Sequence, residues 1–116
     1  MNDSVQEKTQ ATNETIMALA AEKAFDVPGV YAMGMNRSAA SLTKNILGQD
    51  KKTRGVRVSF DEETGYTIDI YLIAVFGTNI PETAWNVQKN VHDGLIEAFE
   101  IVPENINIHI QGVHEK

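Results

Sequence analysis

The groups able to do chemistry are few: three histidines, sixteen acids and no cysteine. His92 precedes Asp93, a couple that general-base catalysis needs hydrogen-bonded, but neighbours on a helix point about 100° apart, which predicts that the two do not pair. His109 and His114 lie five residues apart, with Glu115 beside the second. On a regular strand that odd spacing puts them on opposite faces, so a shared metal ion needs the tail to fold back. Asp61, Glu62 and Glu63 run together between two strand-like segments and read as a solvated turn, because nothing nearby desolvates them. Ser38, Ser41 and Ser59 lack a base or a nucleophile elbow. Gly29 and Gly34 are too sparse for a phosphate loop, and no Gly-Lys-Ser/Thr follows them. Without cysteine there are no disulfides, thiolate nucleophiles or thiolate metal ligands. The expectation is no catalytic residue, no metal site and no cofactor.

What remains concerns surfaces. Tyr71, Ile73 and Val75 alternate along a strand whose other face is also apolar, and Trp85 with Ile96 extends a helix beyond its inward stripe; aromatics mixed with aliphatics in such places are enriched at interfaces. Val30, Met33 and Met35 follow the turn Asp26-Val27-Pro28-Gly29, small or pliable apolar groups that either close the core or meet a partner. A homo-oligomer is the most economical interface, since symmetry hides one patch twice. A second surface is basic: Arg37, Lys44, Lys51, Lys52, Arg54 and Arg57 stand against the single acid Asp50. The ordinary reading is a solvated loop; the sharper one is an RNA- or anionic-surface-binding segment. A formal net charge of −6 makes nucleic acid an unfavourable partner for the chain as a whole.

The elements carrying these residues fit one small domain, because 116 residues supply a single modest core. Residues 1–11 are polar and unpatterned and read as a flexible tail; the domain runs over 12–113, and 114–116 form a short C-terminal tail. The N-terminus has no apolar stretch of the signal-peptide kind, and no run approaches the ~20 apolar residues of a membrane span, so a cytoplasmic protein is expected. A helix begins at Thr12 or Asn13, buries Ile16, Leu19, Ala20, Ala24 and Val27, and stops near Val27 because Pro28 turns its predecessor away from helical dihedrals. Residues 31–54 are the least legible, with a possible short helix over 38–47.

Then comes a hairpin. Val56, Val58 and Phe60 alternate on one strand, and Ile68, Ile70, Leu72, Ala74 and Phe76 share a face of the next. Pro81 opens a long helix with Ile80, Ala84, Val87, Gln88, Val91, Leu95 and Ala98 inward and Trp85, His92, Ile96 and Phe99 as a flanking ridge. Gly94 costs that helix ~1 kcal/mol relative to alanine, which suggests that it admits a close neighbour. The last strand places Ile106, Ile108 and Ile110 on one face. The result is an α+β domain: a three-stranded, possibly four-stranded, mainly antiparallel sheet with two longer helices on one face. The crossover helix makes the last strand parallel to the second hairpin strand. The simplest order puts the first hairpin strand in the centre; the alternative centres the second, which the two-sided apolar half of that strand favours.

In order along the chain stand an Ala-rich helix running into Pro28-Gly29-Val30, then Gly55-Val56-Arg57-Val58, Asp69-Ile70-Tyr71, Gly77-Thr78-Asn79-Ile80-Pro81, Val87-Gln88 and Asn107 to Val113. This series resembles the alkaline shock protein family of Gram-positive bacteria, also described as the envelope stress response or general stress protein family, over residues 13–113. The polar lead Thr9 to Ile16 departs from the strand-like start of that family, and Val87 replaces its usual isoleucine. The resemblance implies a small α/β cytoplasmic protein without known catalytic activity, tied to cell-envelope homeostasis. It also implies recruitment to the membrane by a membrane-anchored partner and assembly there, and it supplies no catalytic residues. A non-enzymatic interaction or scaffold protein is therefore the expected function.

Overall fold

The structure, a computed structural model, describes residues 11–35 and 55–115. Helix α1 (Asn13–Phe25) starts from Thr12, whose hydroxyl accepts from the Thr15 amide at 3.1 Å while the Thr15 hydroxyl accepts from the Thr12 amide at 2.9 Å. This reciprocal cap satisfies two of the free amides of the first turn. The helix ends two residues before Val27, at the Asp26 cap. Val27 nonetheless stays buried, and Gly29 at φ +101° turns the chain into strand β1 (Val30–Met33). Ala11, expected in the tail, already packs against the core.

Strands β2 (Val56–Asp61) and β3 (Gly65–Val75) form the expected hairpin. Its turn is held by the Asp61 carboxylate, which accepts from the amides of Glu63 and Thr64 at 2.7 and 3.2 Å. Helix α2 (Ile80–Phe99) opens on an Asn79 cap, whose side chain accepts from the Glu82 amide at 3.0 Å. It leads to β4 (Asn105–His114), one residue beyond the expected limit of the domain.

The sheet is four-stranded and centred on β3. Strand β4 runs parallel to β3 from Thr67 to Val75 along one edge. On the other edge, β2 pairs with residues 65–70 and β1 with residues 72–74, both antiparallel. The order with the first hairpin strand in the centre is thus wrong. At eleven residues β3 is long enough for two short strands end to end, so the crossover through α2 delivers β4 to the only edge left. The hinge between β1 and β2 is Tyr71, whose amide donates to the Gly55 carbonyl and whose carbonyl accepts from the Gly34 amide, both at 2.7 Å. Strand β1 itself lies in the stretch the sequence left illegible. The possible helix over 38–47 falls outside the described residues.

Both helices pack on one face of the sheet, against a core of Ile16, Ala20, Ala24, Val27, Val56, Ile68, Ile70, Leu72, Val87, Val91 and Leu95. The stripe of α2 is rotated from the expected one: Thr83 and Gly94 are buried and Gln88 is exposed. Gly94 faces the Lys23 stem, so that a side-chain carbon there would sit 3.0 Å from Cγ and Cε of Lys23. Asn90, expected in water, is half-buried and donates to the Lys23 carbonyl at 2.8 Å, satisfying an acceptor of the last turn of α1. Phe76 lies past the end of β3 and is exposed rather than inward.

Candidate functional site

Pleating divides β3 into two sets of side chains. Ile68, Ile70, Leu72 and Ala74 are fully buried under the helices, whereas Thr67, Asp69, Tyr71, Ile73 and Val75 point to the other face and are half-exposed. Among the described residues no helix or loop covers that outer face. Its centre is the apolar line Tyr71, Ile73, Val75.

The polar and aromatic groups around this line are ordered by cross-strand contacts. Asp69, whose side chain is 17% exposed, accepts from Asn107 Nδ2 at 3.1 Å, and one of its oxygens lies 3.0 Å from His109 Nε2. The same histidine ring stacks on Tyr71, centroids 4.4 Å apart and planes at 12°. Farther along, Tyr31 of β1 stacks on His114 of β4 at 4.2 Å and 14°. Between the two stacks, the Gln111 side chain reaches the backbone of Met35: it accepts from the Met35 amide at 2.9 Å and donates to the Met35 carbonyl at 2.7 Å.

The placement of the two histidines corrects the expectation from spacing. Leu72 pairs with Ile110 but Ile73 with Gly112, so Gln111 is an extra residue in β4. A one-residue bulge inverts the alternation that follows it. His109, opposite Tyr71, and His114, opposite Val75, therefore share the outer face. They belong to separate stacks, and among the described residues no group of three or more His, Asp or Glu side chains is arranged to hold a metal ion. His92 and Asp93 also depart from expectation. Both side chains lean along the exposed flank of α2 until His92 Nδ1 lies 3.2 Å from Asp93 Oδ1. The contact lies between adjacent side chains on the exposed flank of the helix, and of the two only Asp93 borders an open cleft.

Of the other sequence-predicted residues, Val30 is buried and Met33 is half-buried against the core, while Met35 is half-buried beneath the Gln111 clasp. Trp85 is 59% exposed on α2, with Lys89 Nζ 5.8 Å from the centre of its ring. Arg37, Lys44, Lys51, Lys52 and Arg54 lie outside the described residues. Arg57 is exposed and opposes Asp69 in register. Two open clefts flank Pro28, one lined by Asp26, Lys89, Asn90 and Asp93 and the other by Gly29, Thr78, Asn79, Glu82 and Thr83; neither is lined by a histidine. The alternation that puts Tyr71 on the outer face puts Asp69 there as well; what sequence reasoning missed was the contact of Asp69 with Asn107 and His109, and the parts played by Tyr31 and Gln111.

The alkaline shock protein 23 family, described as having a cell envelope-related function, matches residues 1–115. The chain is similar to two uncharacterized proteins of Bacillus subtilis strain 168. It is 32% identical to YqhY over 106 residues, which covers 91% of this chain and 76% of that protein. It is 32% identical to YloU over 102 residues, covering 88% and 84%. An uncharacterized Streptococcus pyogenes protein is 30% identical over 87 residues, 75% of this chain and 64% of its own length. No solved structure matches the chain.

Proposed function

Because the chain belongs to the alkaline shock protein 23 family, whose function is cell envelope-related, we propose that it is a non-enzymatic cytoplasmic scaffold of the envelope, acting by self-association and by docking a membrane-anchored partner. The observation that carries this reading is the outer face of the sheet. Tyr71, Ile73 and Val75 are half-exposed on the central strand, and the side chains around them are already held by stacks and hydrogen bonds. An apolar strip framed by ordered polar groups loses little side-chain entropy on docking, which favours binding a protein over merely contacting solvent. No described helix is long and apolar enough to cross a membrane, so on this reading the anchor belongs to the partner.

The test is sedimentation with membranes from the native cell, before and after protease stripping of their proteins, using the wild type and Ile73→Asp. Ile73 lies off the core, so the substitution leaves the fold intact while placing a carboxylate in the apolar strip. Docking on a membrane protein predicts binding that is lost on stripping and lost with Ile73→Asp. Binding that survives stripping, ignores Ile73 and falls steeply with salt would instead assign the interaction to the basic stretch containing Arg37, Lys44, Lys51, Lys52 and Arg54.

A further inference from the structure

The edge of β4 away from β3 is the longest strand edge without a partner among the described residues. Its hydrogen-bonding parity follows from contacts elsewhere in the sheet. Tyr71 turns both its amide and its carbonyl toward Gly55 and Gly34, on the β1/β2 side. The even-numbered residues of β3 therefore face β4, and in the parallel register they engage Asn105, Asn107 and His109. Ile106, Ile108 and Ile110 then direct their backbone amides and carbonyls outward. The Gln88 side chain confirms this at one point, donating to the Ile106 carbonyl at 2.8 Å.

Exposed strand edges are normally guarded by charges, proline or a covering element. From Asn105 to His114 there is no Lys, Arg, Asp, Glu or Pro, in a chain with a net charge of −6. The guards are at the ends: Gln88 occupies the Ile106 carbonyl, and the Gln111 bulge interrupts the strand after Ile110. Between them no described residue pairs with Asn107 to Ile110 along this edge. Gln88 also shows which flank of α2 lies over this edge. At 100° per residue, Trp85, His92 and Phe99 fall within about 60° of Gln88 and Ile96 within about 80°, so the flanking ridge, with its exposed Trp85, lies on the side of the open edge. Helix α2 runs opposite to β4, so the turn holding Trp85 stands nearer to Ile108 and Ile110 than Gln88 does.

We infer that this edge pairs with the same edge of a second copy, antiparallel and about a two-fold axis, continuing the two sheets into one and setting the α2 ridges side by side. A second copy is the occupant because the edge is its own complement. It is neutral in an acidic chain, so two copies meet there with the least repulsion, and an isologous contact hides both Trp85 rings at once. Since Ile106 is already engaged, the register that uses both free residues sets Ile108 against Ile110 of the second copy and centres the axis on His109. This assigns the self-association of the proposed scaffold to the strand edge, leaving the outer face for the partner.

The register is testable because the chain has no cysteine. Residues outside the hydrogen-bonded pairs of an antiparallel ladder bring their Cα atoms to about 4.5 Å, within disulfide range. His109→Cys should therefore oxidise to a covalent dimer under mild conditions. Arg57→Cys, on the same face but on β2, should not. Light scattering should show a dimer for the wild type, and Trp85→Asp, with circular dichroism unchanged, should raise its dissociation constant about tenfold or more. If His109→Cys forms no more covalent dimer than Arg57→Cys, the edge pairing is wrong. Should Ile73→Asp then dissociate the oligomer while Trp85→Asp does not, self-association belongs to the outer face and the scaffold reading stands. A wild type that stays monomeric at every concentration overturns both.

Discussion

Replacing Gly94 tests how closely the two helices meet. Alanine in place of a mid-helix glycine gains ~1 kcal/mol of helix propensity. Against this, the new methyl carbon would stand 3.0 Å from Cγ and Cε of Lys23 and 3.3 Å from Cδ. These contacts are tighter than packing tolerates, and the Lys23 stem must swing outward. Three methylenes at ~0.8 kcal/mol each set an upper limit for the burial lost, and since Lys23 is only half-buried the cost is about half of that, ~1 kcal/mol. Gly94→Ala should then change stability by less than ~0.5 kcal/mol in urea unfolding, the two terms cancelling. Gly94→Val regains less propensity and overpacks a buried contact, so it should cost ~1–3 kcal/mol. The decisive measurement is the double-mutant cycle: in a Lys23→Ala background the clash is gone, and Gly94→Ala should stabilise by ~1 kcal/mol. If alanine has the same effect in both backgrounds, Lys23 does not lie over Gly94 and the reasoning fails.

The remaining predictions concern the junction of β1 and β2. Gln111→Ala removes both hydrogen bonds to Met35; because they are exposed, the loss should be about 1 kcal/mol in thermal unfolding, with faster hydrogen exchange confined to the Met35 amide region. Gly55→Ala should cost about 2–3 kcal/mol by the same assay, because Gly55 sits at φ +88° and a side-chain carbon there would stand 2.9 Å from the carbonyl oxygens of both Gly34 and Tyr71. A Gly55→Ala protein as stable as the wild type would refute the placement of β1 and β2 end to end.

Much of this architecture was legible from residue types. The helix starts marked by Thr12 and Pro81, the hairpin around Asp61 and the alternating isoleucines of β4 are local signals, each produced by residues whose preferences agree with their tertiary surroundings. Strand β1 was not legible because it is four residues long and owes its conformation to pairing with the far half of β3, where Val30 meets Ala74 and Met33 meets Leu72. Nor do periodicities set a helix's rotation to better than a residue. The stripe of α2 was placed so that Gln88 pointed inward, whereas Gly94, against the Lys23 stem, and Thr83, beside Gly29, are the buried positions instead.

The candidate site was less legible than the fold, for a reason that can be located at Gln111. Reading faces from a strand assumes a strict period of two, and a single extra residue reverses every assignment beyond it. The stretch His109-Ile110-Gln111-Gly112-Val113-His114 therefore separates its two histidines on paper and unites them in the fold. Nothing in that stretch demands a bulge, although a glycine inside a strand is the residue that marks one. The same inserted residue frees the Gln111 side chain to reach Met35, brings His114 under Tyr31, and ends the open part of the β4 edge at Ile110. One irregularity thus defines both the outer face offered to a partner and the length of edge offered to a second copy. Restoring strict alternation by deleting Gln111 should rotate Gly112, Val113 and His114 off their present faces and disturb the two surfaces together.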